Sequence, residues 1–278
     1  MSWKNSVCIT GPTPSVGDIN IFVKSTMPTT DNAIDTFYKS TLEILTLQPS
    51  FFTSYGPGVT SSIFISLISA TENYFRDILG FSLSICVISQ AHAADEKVQL
   101  GSLLWAGNHL HNRSAFEFMA FSSADNITKT LNKFVDFSVP RESSWGKMLK
   151  EYDKLCELRH AIVHSGNIVA GKNAIKLSLS KSIGTAYVNV DYTTLQSAGA
   201  VCTRLVQAAN NDLFELMVSR WAETWRAHAS WDASTERALF DTVKTYFTSE
   251  RDRAMNTIVN KMADSDIYNA VCSDYNLC

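Results

Sequence analysis

The chain has 278 residues, 45% hydrophobic and 18% charged, with 12 glycines and 6 prolines, a composition that excludes a disordered or collagen-like polymer and supplies a sizeable core. Its 24 Lys+Arg against 27 Asp+Glu give a net charge of −3, which excludes a protein that holds nucleic acid through basic charge spread over its whole surface and leaves room for a local basic site. Six cysteines, Cys8, Cys86, Cys156, Cys202, Cys272 and Cys278, are scattered with no Cys-x-x-Cys pair, the pattern of reduced thiols in a cytosolic protein. The first residues carry neither an apolar leader nor a cleavage site, so a cytoplasmic location is expected.

Taken in chain order, residues 11–17 are rich in Gly and Pro but lack the Gly-Lys-Ser/Thr ending of a phosphate loop, so they read as a turn. Residues 19–23 alternate as a loop or an edge strand would. Asp31 is placed to cap a helix that reaches Leu47 and is closed by Pro49. Gly56, Pro57 and Gly58 break the chain, and Thr60 or Ser61 can cap the long apolar helix that follows. Its stretch 63–88 contains Glu72, Arg76 and Asp77 near the middle, where charge is costly in lipid, so it is expected as a buried helix with no membrane role. Helical spacing continues over 61–92, 97–121, 124–136 and 144–164.

After His164 the texture changes. Ile175, Leu177 and Leu179 alternate with polar residues, as do Val188 and Val190 beyond Gly184, which predicts a small β-hairpin. A long helix over 193–227 follows, capped by Thr193 or Thr194, and the last fifty residues form shorter helices with Phe240, Tyr246 and Tyr268 as aromatic anchors. The expected fold class is mainly α, a helical bundle with a small β-hairpin insertion and a helical C-terminal extension.

Charge is distributed unevenly along this path. Residues 1–140 carry 8 basic and 11 acidic side chains, 141–181 carry 8 and 4, and 182–278 carry 8 and 12, so the net-positive segment surrounds a single helix. In that helix Leu149, Tyr152, Leu155, Leu158 and Ile162 recur with helical spacing, and Gly166 suits a left-handed cap at its end. Arg159 and His164 lie near that end. Five residues apart, they differ by roughly 140° around the axis, so both border one cleft only if it lies between them or a second surface closes it.

Arg159-x4-His164, with polar His160 directly after the arginine and a small residue and Gly166 after the histidine, resembles the Arg-x(4–6)-His signature of HEPN-domain proteins. Residues 71–79, with Glu72 among aromatics, are similar to the early acidic helix of that family. The resemblance implies an HEPN-type bundle over residues 58–227, with 1–57 as an N-terminal extension and 228–278 as a C-terminal helical extension. It further implies a metal-independent endoribonuclease of a bacterial antiphage defence or toxin–antitoxin system. Expected partners are an RNA substrate, a second copy of the chain forming a homodimer, and an antitoxin or sensor protein. No cofactor and no metal are expected.

RNA cleavage by its own 2′-hydroxyl needs a group that exchanges protons near neutral pH and a fixed cation for the charge gathering on phosphate. His164 is expected as the acid or base, and Arg159 as the phosphate clamp. The bland alternative is an arginine capping helix carbonyls beside a surface histidine. His160 precedes His164 by one helical turn, a spacing that suits a shared metal, a second polar site residue or a plain exposed side chain. Glu72 either orients Arg159 or His164 or forms a structural salt bridge.

Weaker candidates read as surface or core. His109 and His111 with Arg113 point to different helix faces, and Trp221 and Trp225 read as core or dimer packing more readily than as a base-stacking platform. Gly166 stands where some HEPN toxins carry a modifiable tyrosine. The second functional reading is a catalytically inactive HEPN module that binds RNA or a partner protein, and the third is a helical scaffold unrelated to that family.

Overall fold

The computed structural model describes residues 14–24, 31–105, 111–256, 258 and 261–277, and the chain divides into two compact units, Met1–Thr30 and Asp31–Cys278. In the first, Asp18 accepts a hydrogen bond from the Asn20 amide and starts a single 3-10 turn, Ile19–Phe22. The alternation there is therefore not an edge strand. An aspartate that bonds its own backbone two residues on favours a turn, and no second strand lies beside it among the described residues of that unit.

The second unit is helical. Its elements are α1 (Ala33–Leu45), α2 (Pro49–Ser54), α3 (Pro57–Ile85), α4 (Val87–Ala93), α5 (Leu100–Trp105), α6 (His111–Ser114), α7 (Ala124–Val135), α8 (Ser144–Ser165), α9 (Gly171–Lys176), α10 (Tyr192–Arg220), α11 (Glu236–Phe247), α12 (Glu250–Ala254) and α13 (Asp264–Asp274). The caps differ from the sequence expectations by a few residues. Asn32 caps α1 in place of Asp31. Pro57 at the first helical position starts α3 ahead of Thr60 and Ser61, as its fixed φ and missing N–H allow. Asp191 and Thr194 form a reciprocal capping box on α10, so the aspartate, and not Thr193, opens that helix.

The two longest helices, α3 and α10, pack on each other; α1 and α8 each lie against both, and α7 closes over α3, α4 and α8. Leu67, Phe75, Ile78 and Leu79 of α3, Leu205 and Leu213 of α10, and Trp145 and Tyr152 of α8 are fully buried between them. At the end of α10 a π-helical turn, Trp221–Trp225, tucks both tryptophans into the core. The Trp221 ring meets Phe240 and Tyr268 at centroid distances of 4.9 and 5.9 Å, which settles these tryptophans as packing residues and ties α11 and α13 into the same core. Among the described residues no helix is long and apolar enough to cross a membrane.

Three expectations are corrected by the structure. The expected 61–92 helix breaks at Cys86, whose extended backbone ends α3 and whose sulfur accepts from the Ser89 amide to start α4. The expected 97–121 helix is reduced to α5 and α6 within its described part. The hairpin does not form. Ile175 lies within α9 and is 80% exposed, and the single bridge among the described residues pairs Ile168 with Tyr187. Three alternating apolar residues bury too little to fix a strand, and the short helix α9 takes Ile175 with Leu177 as its C-cap and no need of a partner strand. His109 falls outside the described residues, as does the side chain of His111.

Gly146, in the first turn of α8, fixes how that helix enters the bundle. A Cβ placed there would lie 2.3 Å from the Pro140 carbonyl oxygen and 2.8 Å from that of Arg141, both backbone atoms that cannot swing aside. Gly146→Ala is therefore expected to destabilise the protein by about 1–3 kcal/mol despite alanine's better helix propensity. A urea midpoint equal to that of the unmodified chain would show that the 140–141 loop yields freely.

Candidate functional site

Helix α8 presents the motif. Ser143 accepts a hydrogen bond from the Gly146 amide at 3.0 Å to start it, and Gly166, at φ 56°, closes it in the left-handed region. Trp145, Leu149, Tyr152, Cys156 and Ala161 face the core, while Leu155, Leu158 and Ile162 are only half-buried. The Tyr152 hydroxyl donates to the Phe121 carbonyl at 3.3 Å, and burial pushes its pKa well above the usual tyrosine value. This anchors α8 by its middle and leaves one side of its last two turns at the surface.

A cavity of about 210 Å³ opens beside those turns, walled by Ser122 and Ser123 ahead of α7, by Cys156, Glu157, Arg159 and His160 of α8, and by Lys172, Asn173 and Lys176 of α9. Three cations stand there against one carboxylate. Asn173 donates to the Glu157 carbonyl at 3.2 Å and Lys176 is hydrogen-bonded to the Glu157 carboxylate, so α9 is clipped onto α8. The hydrogen bond that Lys176 donates to Glu157 holds its ammonium above its usual pKa. The amides at the start of α7 are already engaged, since Ser123 accepts from Asn126 and Asp153 from Ala124. The positive character of the cavity therefore comes from side chains.

Arg159 is half-buried, and its Nε is fully buried with no hydrogen-bond partner among the described residues. Among the described residues it caps no helix carbonyl. Lys172 likewise makes no hydrogen bond or ion pair among those residues. An unpaired buried N–H costs about 1–3 kcal/mol.

The four candidate residues are not all brought together. His160 shares the cavity with Arg159. His164 is exposed and is not one of the cavity's walls, but its ring lies 4.5 Å from that of His160, centroid to centroid and tilted by 47°, so His160 connects the arginine to His164. Among the described residues no group of three His, Cys, Asp or Glu side chains is placed to share a metal ion. Glu72 is elsewhere: it is buried on α3 and bound to Arg76 one turn on, at 3.1 Å, while Arg76 also donates to the Met119 carbonyl. Of the two roles open to Glu72, the structural salt bridge is the one observed.

Cys156 adds a thiol to the wall, yet burial pushes its pKa up, so it is a packing residue and not a thiolate nucleophile. Lys172, Lys176, Asn173 and Ser123 were missed as individual residues by sequence reasoning. The signal for the two lysines was the excess of basic charge over 141–181. Compared with protein-family models, curated proteins and solved structures, the chain matches none of them.

Proposed function

We propose that the protein is an endoribonuclease that cleaves RNA without a metal ion, at the cavity beside the end of α8. The observation that carries this reading is the Arg159 guanidinium, which has no partner for its buried Nε among the described residues and borders a cation-walled cavity next to paired imidazoles. Arg159, with Lys172 beside it, binds the scissile phosphate. The imidazoles of His160 and His164 accept the 2′-hydroxyl proton and return a proton to the departing 5′-oxygen, while the 2′-oxygen bonds to phosphorus and the P–O5′ bond breaks. The products are a 2′,3′-cyclic phosphate and a free 5′-hydroxyl. The resemblance to HEPN proteins supplies the biological setting, bacterial defence or a toxin–antitoxin pair.

The proposal includes a homodimer across the end of α8. Val163, Ile168, Ile175 and Tyr187 are exposed apolar residues on α8, α9 and the segments that pair beside them, a rim suited to a second copy. A two-fold axis there would bring a second pair of histidines to the phosphate. A second reading, an HEPN-like module that binds RNA without cutting it, draws on one observation: His164 is not a wall of the cavity.

The deciding experiment incubates the purified chain with single-stranded RNA in excess EDTA. Expected is cleavage at an undiminished rate, with cyclic or 2′/3′-phosphate ends. RNA that is bound but left intact would select the second reading, and cleavage that needs an added divalent ion would overturn the proposed chemistry.

A further inference from the structure

A second cavity, of about 410 Å³, lies away from α8, between one face of α10, the end of α11, α12 and the start of α13. Such a volume is typical of small-molecule sites. Four cations line it, Arg204, Lys244, Arg253 and Lys261, against the single carboxylate of Asp252, although residues 182–278 are net acidic. Two of those cations are already neutralised. Lys244, only 6% exposed, and Arg253 both hold Asp264, each at 2.8 Å.

The other two are not balanced in this way. Arg204 is exposed and makes no hydrogen bond or ion pair among the described residues. Lys261 donates only to neutral oxygens, the Arg253 carbonyl at 3.2 Å and the Asn256 amide at 3.3 Å. Against the single carboxylate of Asp252, these two cations leave the cavity lining net positive, which suits a phosphate group.

The remainder of the cavity has a different chemistry. Phe214 and Phe247 stand side by side with ring centroids 5.8 Å apart, and Ile34 and Ile267 add apolar wall. Gln207 uses its NH₂ on the Tyr38 hydroxyl at 3.0 Å, which leaves its carbonyl as an acceptor. Asn211, two helical turns beyond Arg204, has its whole amide uncommitted among the described residues. The buried floor, by contrast, is fixed: Asn210 donates to the Phe247 carbonyl at 2.8 Å and Ser249 to Asp35 at 2.6 Å.

We infer that this cavity binds a nucleoside phosphate, with the phosphate held by Arg204 and Lys261 and the base against Phe214, its edge met by Gln207 and Asn211. A phosphate alone would leave the aromatic wall unused, and a fatty acid would leave the amides unmet. This inference does not depend on the proposed ribonuclease activity.

The test is calorimetric titration of the full chain with AMP, ATP, adenosine and inorganic phosphate. Expected is saturable binding of AMP or ATP, with adenosine and phosphate each weaker by about tenfold or more. Arg204→Glu and Lys261→Glu should each weaken nucleotide binding by a similar factor without changing the melting temperature, because neither side chain is buried. Arg159→Ala should leave it unaltered. Absence of saturable nucleotide binding, equal affinity for adenosine, an unchanged affinity in Arg204→Glu, or loss of binding in Arg159→Ala would each overturn the assignment.

Discussion

Arg159→Ala and His164→Ala are each expected to lower RNA cleavage by at least about a hundredfold, the scale on which a positioned acid or base and a charge-stabilising donor act. Folding should be preserved in both. His164 is exposed, and Arg159 is only half-buried with its Nε unpaired among the described residues, so removing that guanidinium deletes a desolvated N–H and not a bond within the bundle. Leu149→Ala is the contrasting change. Leu149 is 4% exposed on the buried face of α8, and loss of a buried leucine side chain costs about 2–5 kcal/mol, so that variant should melt lower yet retain cleavage below its transition.

His160→Ala separates two arrangements of the imidazoles. If His160 acts directly on the ribose, its loss should equal that of His164. If it only orients His164 across the 4.5 Å ring contact, His160→Asn should retain more activity than His160→Ala, with a displaced pH profile. Mixing Arg159→Ala chains with His164→Ala chains examines the proposed dimer, because a site shared between copies regains activity on mixing. A cleavage rate in Arg159→Ala within about threefold of the parent, against the hundredfold expected for a lost oxyanion donor, would remove the arginine from the chemistry.

The local signals in the sequence transferred well where short-range chemistry decides structure. The apolar spacing and Gly166 placed α8 to within a residue, and the periodicity of 124–136 placed α7. Signals failed where the outcome depends on partners distant in sequence. Ile175, Leu177 and Leu179 alternate as a strand does, but nothing in a stretch that short says that no strand will be available to pair with it. Cys86 breaks α3 without a proline or glycine to announce it.

At the site, the motif residues were legible because they share one helix, and the α9 companions were not because α9 reaches them through the bonds of Asn173 and Lys176 to Glu157, distant in sequence. Glu72 shows the converse: its observed partner, Arg76, stands one helical turn away in the sequence, and a local salt bridge satisfies it before any distant histidine can.

The largest stability loss expected from a single charged side chain is at Arg220, the last residue of α10. It is 7% exposed, and it donates to the Val135 and Asp136 carbonyls at 2.6 and 3.2 Å. Those are the closing carbonyls of α7, where a cation also meets the negative end of the helix dipole. Its other nitrogen reaches Cys86 and Ser89 at 3.5 Å, where α3 gives way to α4. One guanidinium thus joins the ends of three helices and the start of a fourth, with no carboxylate bound to it among the described residues.

Arg220→Ala strands the buried Val135 carbonyl and the part-buried Asp136 carbonyl and leaves a void, so about 3 kcal/mol should be lost, an unmet buried polar group contributing about 1–3 kcal/mol. Arg220→Met refills the void without restoring the bonds, and its remaining deficit measures the hydrogen bonds alone. Arg220→Lys should recover only part of the difference, because a single ammonium cannot meet both sets of acceptors in one plane. Urea unfolding of the three variants gives the order, with methionine and lysine between alanine and the parent. An Arg220→Ala midpoint that matches the parent would mean that water satisfies the end of α7 and that the arginine is dispensable there.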